Sequence, residues 1–162
     1  MPPAALIDPD ALDTSKVLFG LEEIRKGNPQ RYEMEQLSAI IHYDAEASLI
    51  VGYKDLSADE FWVRGHMPGY PLMPGVMMCE AAAQLCSFYC HQVGIIKNGF
   101  LGFGGMEDVR FRGTVRPGDR LVVVAKAVKV HRRQMTFSTQ GFVGGNMVFQ
   151  AQIIGVALSS GS

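Results

Sequence analysis

The sequence has no surplus of either charge, no long uninterrupted apolar run and too few cysteines for a disulfide framework. With 15 Lys+Arg against 16 Asp+Glu and a formal net charge of -1, no global field recruits nucleic acid or an anionic membrane. A charged partner has to be read by a local patch. The most apolar stretch, residues 74–89, is interrupted by Glu80 and Gln84 and falls short of the ~20 residues that cross a bilayer. It reads as a core helix. The first eight residues hold neither a basic stretch nor a long apolar run, so no secretory leader is expected. Cys79, Cys86 and Cys90 fall at helical spacing and form no CxxC pair, which fits small buried thiols kept reduced in the cytoplasm. His42, His66, His91 and His131 are scattered without ligand spacing, and no GxSxG elbow is present, so neither a metal site nor a serine nucleophile is expected.

What is there suits one well-filled core: 162 residues, 48% of them hydrophobic, too few for two ordinary domains. A single domain over 1–162 is expected, with an N-terminal arm at 1–16 and a flexible tail at 159–162. A short helix is placed at 17–26, ended by Gly27-Asn28-Pro29. Residues 40–43 and 48–53 read as a hairpin across Asp44-Ala45-Glu46. A Gly- and Pro-rich loop at 65–74 leads into the apolar helix, which starts with Pro74 as its first residue and runs to about Gln92 before Gly94. The remaining strands are placed at 106–112, 120–130, 134–143 and 146–158. Strands, one long apolar helix, then more strands argue for an α+β fold with that helix packed on an antiparallel sheet.

On the helix, Glu80, Gln84, Ser87 and His91 fall at offsets of zero, four, seven and eleven, one polar stripe on an apolar cylinder. Taken alone, the stripe reads equally as a solvent-facing side or as a functional face. A carboxyl on so apolar a helix is partly desolvated, which favours its protonated form and suits a general acid. The preceding loop supplies His66, the side-chain type suited to proton abstraction near neutrality. Met73 before Pro74 has no side-chain oxygen to cap the N–H groups of Gly75, Val76 and Met77. Those donors are free for a ligand oxygen, and Gly75 adds no bulk beside them. Base, acid and oxyanion site together suit β-elimination from a thioester, with no metal or redox cofactor.

The run Gly65-His66-Met67-Pro68-Gly69-Tyr70-Pro71-Leu72-Met73-Pro74-Gly75-Val76, followed by Glu80-Ala81-Ala82-Ala83-Gln84, closely resembles the signature of the beta-hydroxyacyl-acyl carrier protein dehydratases. The resemblance continues through Phe103-Gly104-Gly105-Met106-Glu107-Asp108-Val109-Arg110-Phe111-Arg112 and Val115-Arg116-Pro117-Gly118-Asp119, covering about residues 48–158. It implies a hotdog fold and a homodimer with the active site at the subunit interface, His66 of one subunit facing Glu80 of the other; such dimers often form trimers of dimers. It implies dehydration of (3R)-3-hydroxyacyl-acyl carrier protein to the trans-2-enoyl product in fatty acid biosynthesis. The acyl chain lies in an apolar tunnel on a phosphopantetheine arm, so the enzyme itself needs no cofactor. Gly75, Val76 and Gln84 are taken as substrate-binding, and Arg110, Arg112, Arg116, Arg132 and Arg133 as candidates for docking the acidic carrier.

The chain departs from the family pattern at Met67, where Phe is usual, and at Pro29-Gln30-Arg31-Tyr32-Glu33-Met34-Glu35, where Pro-His-Arg precedes an apolar stretch. Glu33 and Glu35 are therefore expected to reshape a tunnel wall or subunit contact. Glu at position 80, rather than Asp, resembles the branch that dehydrates without isomerising. Two rivals are a hotdog thioesterase, in which the helix carboxylate would activate water, and a silent hotdog subunit that binds acyl thioesters. The His66 loop argues against the first, and retention of both His66 and Glu80 against the second.

Overall fold

The structure is a computed structural model that describes residues 1–159; the rest of the tail placed at 159–162 lies outside the described residues. Its elements are α1 (Leu21–Gly27), β1 (Ala39–Asp44), β2 (Leu49–Asp55), α2 (Gly75–Gln92), β3 (Phe100–Phe111), β4 (Arg120–Val130), β5 (Gln134–Val143) and β6 (Asn146–Leu158), with short 3-10 turns at Pro9–Ala11 and Tyr32–Met34. The strands form one antiparallel sheet in the order β1-β2-β4-β5-β6-β3, wrapped around α2 as a hotdog fold. Strand alternation decides what faces the helix. Ile40, Ile50, Leu121, Val123, Met135, Phe137, Phe149 and Ile153 point inward onto Ala81, Ala82, Leu85 and Phe88. The 18-residue helix is about 27 Å long and buried nearly all round, as an element apolar on most sides must be. Gly94, at φ 81°, supplies the left-handed position that closes α2.

Strands β4, β5 and β6 match their expected limits. Pro74 is the N-cap of α2, not its first residue. β3 starts six residues before the expected 106. The glycines of its first half hide the alternation, yet they are what lets it pair: a Cβ at Gly102 would lie 2.5 Å from Leu158 Cδ1, and one at Gly104 2.6 Å from Val156 Cγ2. Residues 17–19 are not helical. Phe19 bridges Ile40 at the edge of β1, where the Ile40 carbonyl accepts from the Leu18 and Phe19 N–H groups and the Ile40 N–H donates to the Phe19 carbonyl, and the helix begins only after Gly20.

Residues 1–16 lie against the outer face of the sheet. Leu6, Ile7 and Leu12 cover a second cluster of Leu49, Val51, Val124 and Phe142. The Gln140 side chain accepts from Leu6 N–H (2.8 Å) and donates to the Ala4 carbonyl (2.9 Å). Arg120, which forks onto the Asp55 carboxylate and stacks on Tyr53, donates to the Thr14 carbonyl at 3.1 Å. Among the described residues no helix is long and apolar enough to cross a membrane.

Candidate active site

The loop before α2 is anchored by Trp62 and Met73, both buried. His66 N–H donates to the Trp62 carbonyl at 2.8 Å, Leu72 N–H to the His66 carbonyl at 2.8 Å, and Met73 N–H to the Val115 carbonyl at 2.7 Å. Gly69, at φ 76°, makes the turn that returns the loop on itself. The His66 ring is fixed by the same device, with Nδ1 2.8 Å from the Leu72 carbonyl oxygen. A carbonyl only accepts, so Nδ1 carries the proton and the lone pair sits on Nε2.

Glu80 lies in the second turn of α2, in an apolar layer. Burial pushes its carboxyl above the ordinary carboxylate value, and the Gln84 N–H opposes this only in part. The polar stripe is not a solvent face: Gln84 and Ser87 are each 3% exposed. It packs against residues 27–36. Gln84 accepts from the Gln36 N–H at 2.9 Å and donates to the Met34 carbonyl at 2.6 Å and to Glu80 Oε1 at 3.1 Å. Its amide is fully engaged by the chain, so it orients the Glu80 carboxyl and has no donor left over for a substrate. Asn28 Nδ2 adds a bond to the Gln84 carbonyl at 2.9 Å.

The polar departure at Glu35 gives this clamp its footing. Arg25 makes a forked pair with Glu35 at 2.8 and 2.9 Å, and the Lys54 ammonium donates to the Glu35 carbonyl at 3.1 Å. Met34, Gln36 and Asn28 are site-supporting residues that the sequence reading missed. The available signal was Gln84 itself: a buried amide needs partners, and an apolar helix offers none of its own.

At the start of α2, Met77 N–H is taken by the Pro74 carbonyl at 2.9 Å. It is therefore not a free donor as expected, whereas no chain acceptor meets the N–H of Gly75 or Val76 among the described residues. The absent Cβ of Gly75 makes room for the Phe111 ring, whose atoms would lie 2.8 Å from it, and not for a ligand as the sequence suggested. Glu80 and Gln84 line a cavity of about 190 Å³ between α2 and the β3–β6 pair, with Ala83, Leu101, Phe103 and Ile153. His66 is not part of its wall within one chain. The five arginines are all exposed and lie in three places. Arg110 and Arg112 edge a polar groove on the outer face, Arg116 stacks over Tyr70 at 4.3 Å beside the His66 loop, and Arg132 and Arg133 share a groove with Lys97. Cys79, Cys86 and Cys90 are free and buried. Among the described residues no group of three or more His, Cys, Asp or Glu is placed to hold a metal.

A hotdog sheet around one buried helix, with a pinned histidine loop at the helix start and a carboxyl in its second turn, defines the class: an α+β hotdog protein. Residues 28–152 match the model of the FabA-like domain, and the chain belongs to that family. It is similar to the 3-hydroxyacyl-(acyl-carrier-protein) dehydratase FabZ of Desulfotalea psychrophila, 36% identical over 78% of this chain and 85% of the relative. The FabZ of Fusobacterium nucleatum is 35% identical over 83% of this chain and 94% of the relative. Among solved structures the dehydratase heterocomplex ApeI:P from Xenorhabdus doucetiae superposes with a TM-score of 0.72 at 12% identity, covering 85% of this chain and 91% of that one. A hypothetical thioesterase with coenzyme A from Streptococcus pneumoniae gives 0.62 at 10% identity, covering 88% and 100%. At such identities the likeness is one of fold.

Proposed function

We propose that the protein is a hydro-lyase that converts (3R)-3-hydroxyacyl-acyl carrier protein to the trans-2-enoyl thioester in fatty acid biosynthesis, in the cytoplasm, with His66 as base and Glu80 as acid. The observation that carries the roles is the contrast in surroundings. Nδ1 of His66 is occupied by Leu72, which bares Nε2, while burial pushes the Glu80 carboxyl above its ordinary value. Nε2 removes a proton from C2, and the electrons of that bond form the C2=C3 double bond through an enolate. The free N–H groups of Gly75 and Val76 stabilise the enolate oxygen at the positive end of α2. The C3–O bond breaks as Glu80 passes its proton to the hydroxyl, which leaves as water. The proton on His66 returns to Glu80 through solvent, and the enzyme is restored. Acid and base suffice, so no cofactor is required beyond the phosphopantetheine that the carrier brings.

The active unit in this reading is a homodimer that sets His66 of one subunit against Glu80 of the other, and such dimers can assemble as trimers. Its support is the separation of His66 from the Glu80 cavity within one chain, together with the unpaired edge strand β3. Phe100, Phe103, Met106 and Phe111 of that strand are exposed, as are Met67, Tyr70 and Val76 around the helix start, and an edge so apolar calls for a cover. Arg116, next to the His66 loop through Tyr70, is the first candidate among the five arginines for docking the carrier.

The test is a C4 to C10 series of 3-hydroxyacyl thioesters on carrier protein, followed by ultraviolet absorbance of the enoyl thioester and by free-thiol release. Enoyl formation without thiol release is expected, abolished in His66→Ala and Glu80→Gln. Thiol release would point to a thioesterase, and neither signal to a silent subunit; unchanged turnover in His66→Ala would overturn the mechanism.

A further inference from the structure

The cavity that begins at Glu80 follows α2 through Ala83 and Gln84 to Ser87, seven residues on, or about 10 Å along the helix axis. Leu101, Phe103, Ile153 and Ile154 give it apolar walls, and Gly102 and Gly155 contribute only backbone to the lining. Two polar atoms break that pattern. Ser87 Oγ and Gln30 Oε1 are both shielded from solvent and have no hydrogen-bond partner, and both residues line this same cavity.

A serine inside a helix ordinarily returns its hydroxyl to the carbonyl four residues back. Ser87 does not, although it is 3% exposed. The Gln30 oxygen can only accept, whereas the Ser87 hydroxyl can donate or accept. A group that donates to Gln30 while accepting from Ser87 completes both, and beyond water itself the simplest such group is an alcohol. A ketone would leave Gln30 unsatisfied, and a plain hydrocarbon would leave both atoms unsatisfied in an apolar wall, which is costly.

We infer that Ser87 and Gln30 form a subsite for a hydroxyl on the far part of the acyl chain, so that the enzyme selects 3-hydroxyacyl thioesters bearing a second, distal hydroxyl. The inference rests on the dehydratase reading, because it takes C3 to lie at Glu80. An extended chain advances about 1.2 Å per bond, which puts the second hydroxyl about eight bonds beyond C3, near C11.

The experiment compares (3R)-3-hydroxydodecanoyl with (3R)-3,11-dihydroxydodecanoyl carrier protein on the full chain, measuring enoyl formation. In parallel, calorimetry compares binding of dodecanoyl and 11-hydroxydodecanoyl pantetheine, which have no C3 hydroxyl to lose. The hydroxylated member is expected to be favoured about tenfold in kcat/KM and in affinity, the worth of about one net hydrogen bond. Ser87→Ala keeps a good helix former at a small site and brings both ratios to about one. A preference for the plain chain in the unaltered protein would overturn the subsite, and Ser87 and Gln30 would then hold a water. A binding preference without any enoyl product would leave the subsite standing and overturn the dehydratase reading instead.

Discussion

The inner face of the sheet closes on a helix that is apolar on nearly every side, whereas the outer face closes only where the first sixteen residues cross it. Inside, Phe137, Phe149, Ile153 and Leu85 interlock with almost no exposure, and each strand delivers every second residue to α2. Outside, Leu49, Val51, Val124 and Phe142 meet the half-buried Leu6, Ile7 and Leu12 of the arm. Towards β6 and β3 the outer surface turns polar, with Ser138, Gln150, Gln152, Arg110 and Arg112 around an open groove. The inner layer carries the fold and the site; the outer layer covers an apolar patch that could not be left bare.

Paired truncations separate the two layers most sharply. Phe137→Ala, at a fully buried inner position, is expected to cost about 3–5 kcal/mol in denaturant unfolding. Phe142→Ala, on the outer side, is expected to cost nearer 2 kcal/mol, because the arm can settle into the space. Equal costs would mean that the arm is packed as rigidly as the helix. Deletion of residues 1–16 removes three partly buried aliphatic side chains and is expected to cost about 2–4 kcal/mol. The circular dichroism of the sheet and helix should be retained, and sedimentation should show association through the uncovered patch. Loss of the folded signal would make the arm part of the core.

A smaller perturbation isolates the polar half of the arm's attachment. Gln140→Leu deprives the Leu6 N–H and the Ala4 carbonyl of their partners and is expected to cost about 1–2 kcal/mol. It should speed amide exchange at Leu6 while leaving exchange in α2 unchanged. Faster exchange along α2 would show that the two faces are coupled through β5.

The inner layer was legible because its rules are periodic. Alternation in β4, β5 and β6 and the apolar run of α2 gave those elements and the α+β architecture directly, and His66 and Glu80 stood out as the polar exceptions. The first half of β3 was not legible, since Gly102, Gly104 and Gly105 carry no side chains to alternate. The arm was not legible because Leu6, Ile7 and Leu12 follow no period, and the cluster they cover is drawn from Leu49, Val51, Val124 and Phe142, far along the chain. The polar stripe on α2 was seen but its surroundings were not. What decides between a solvated face and a clamped one is whether residues 27–36 fold back over it, and that depends on the Arg25–Glu35 fork and on backbone groups of Met34 and Gln36, which have no sequence signature.

The smallest expected effect lies at Glu80, a place where the inner layer works against its own stability. Burial keeps the Glu80 carboxyl above its ordinary value, with the Gln84 N–H only partly opposing. An acid whose folded value is raised holds its proton more tightly folded than unfolded. Its contribution is therefore fully present below the unfolded value and is lost as pH rises through the folded one. Glu80→Gln keeps the shape and an oxygen for Gln84 while removing the ionisation. The unfolding midpoints of the two proteins should keep a constant separation at the acid end, near pH 4 and below, and the difference should move in the variant's favour as pH rises, even though the amide cannot protonate a leaving hydroxyl and turnover is lost. Should the unaltered protein gain on the variant with rising pH instead, the carboxylate must have a cationic partner. The proposed dimer brings the His66 loop of a second copy to Glu80, so the same titration reports whether the Glu80 carboxyl sits alone in the inner layer or is met across an interface.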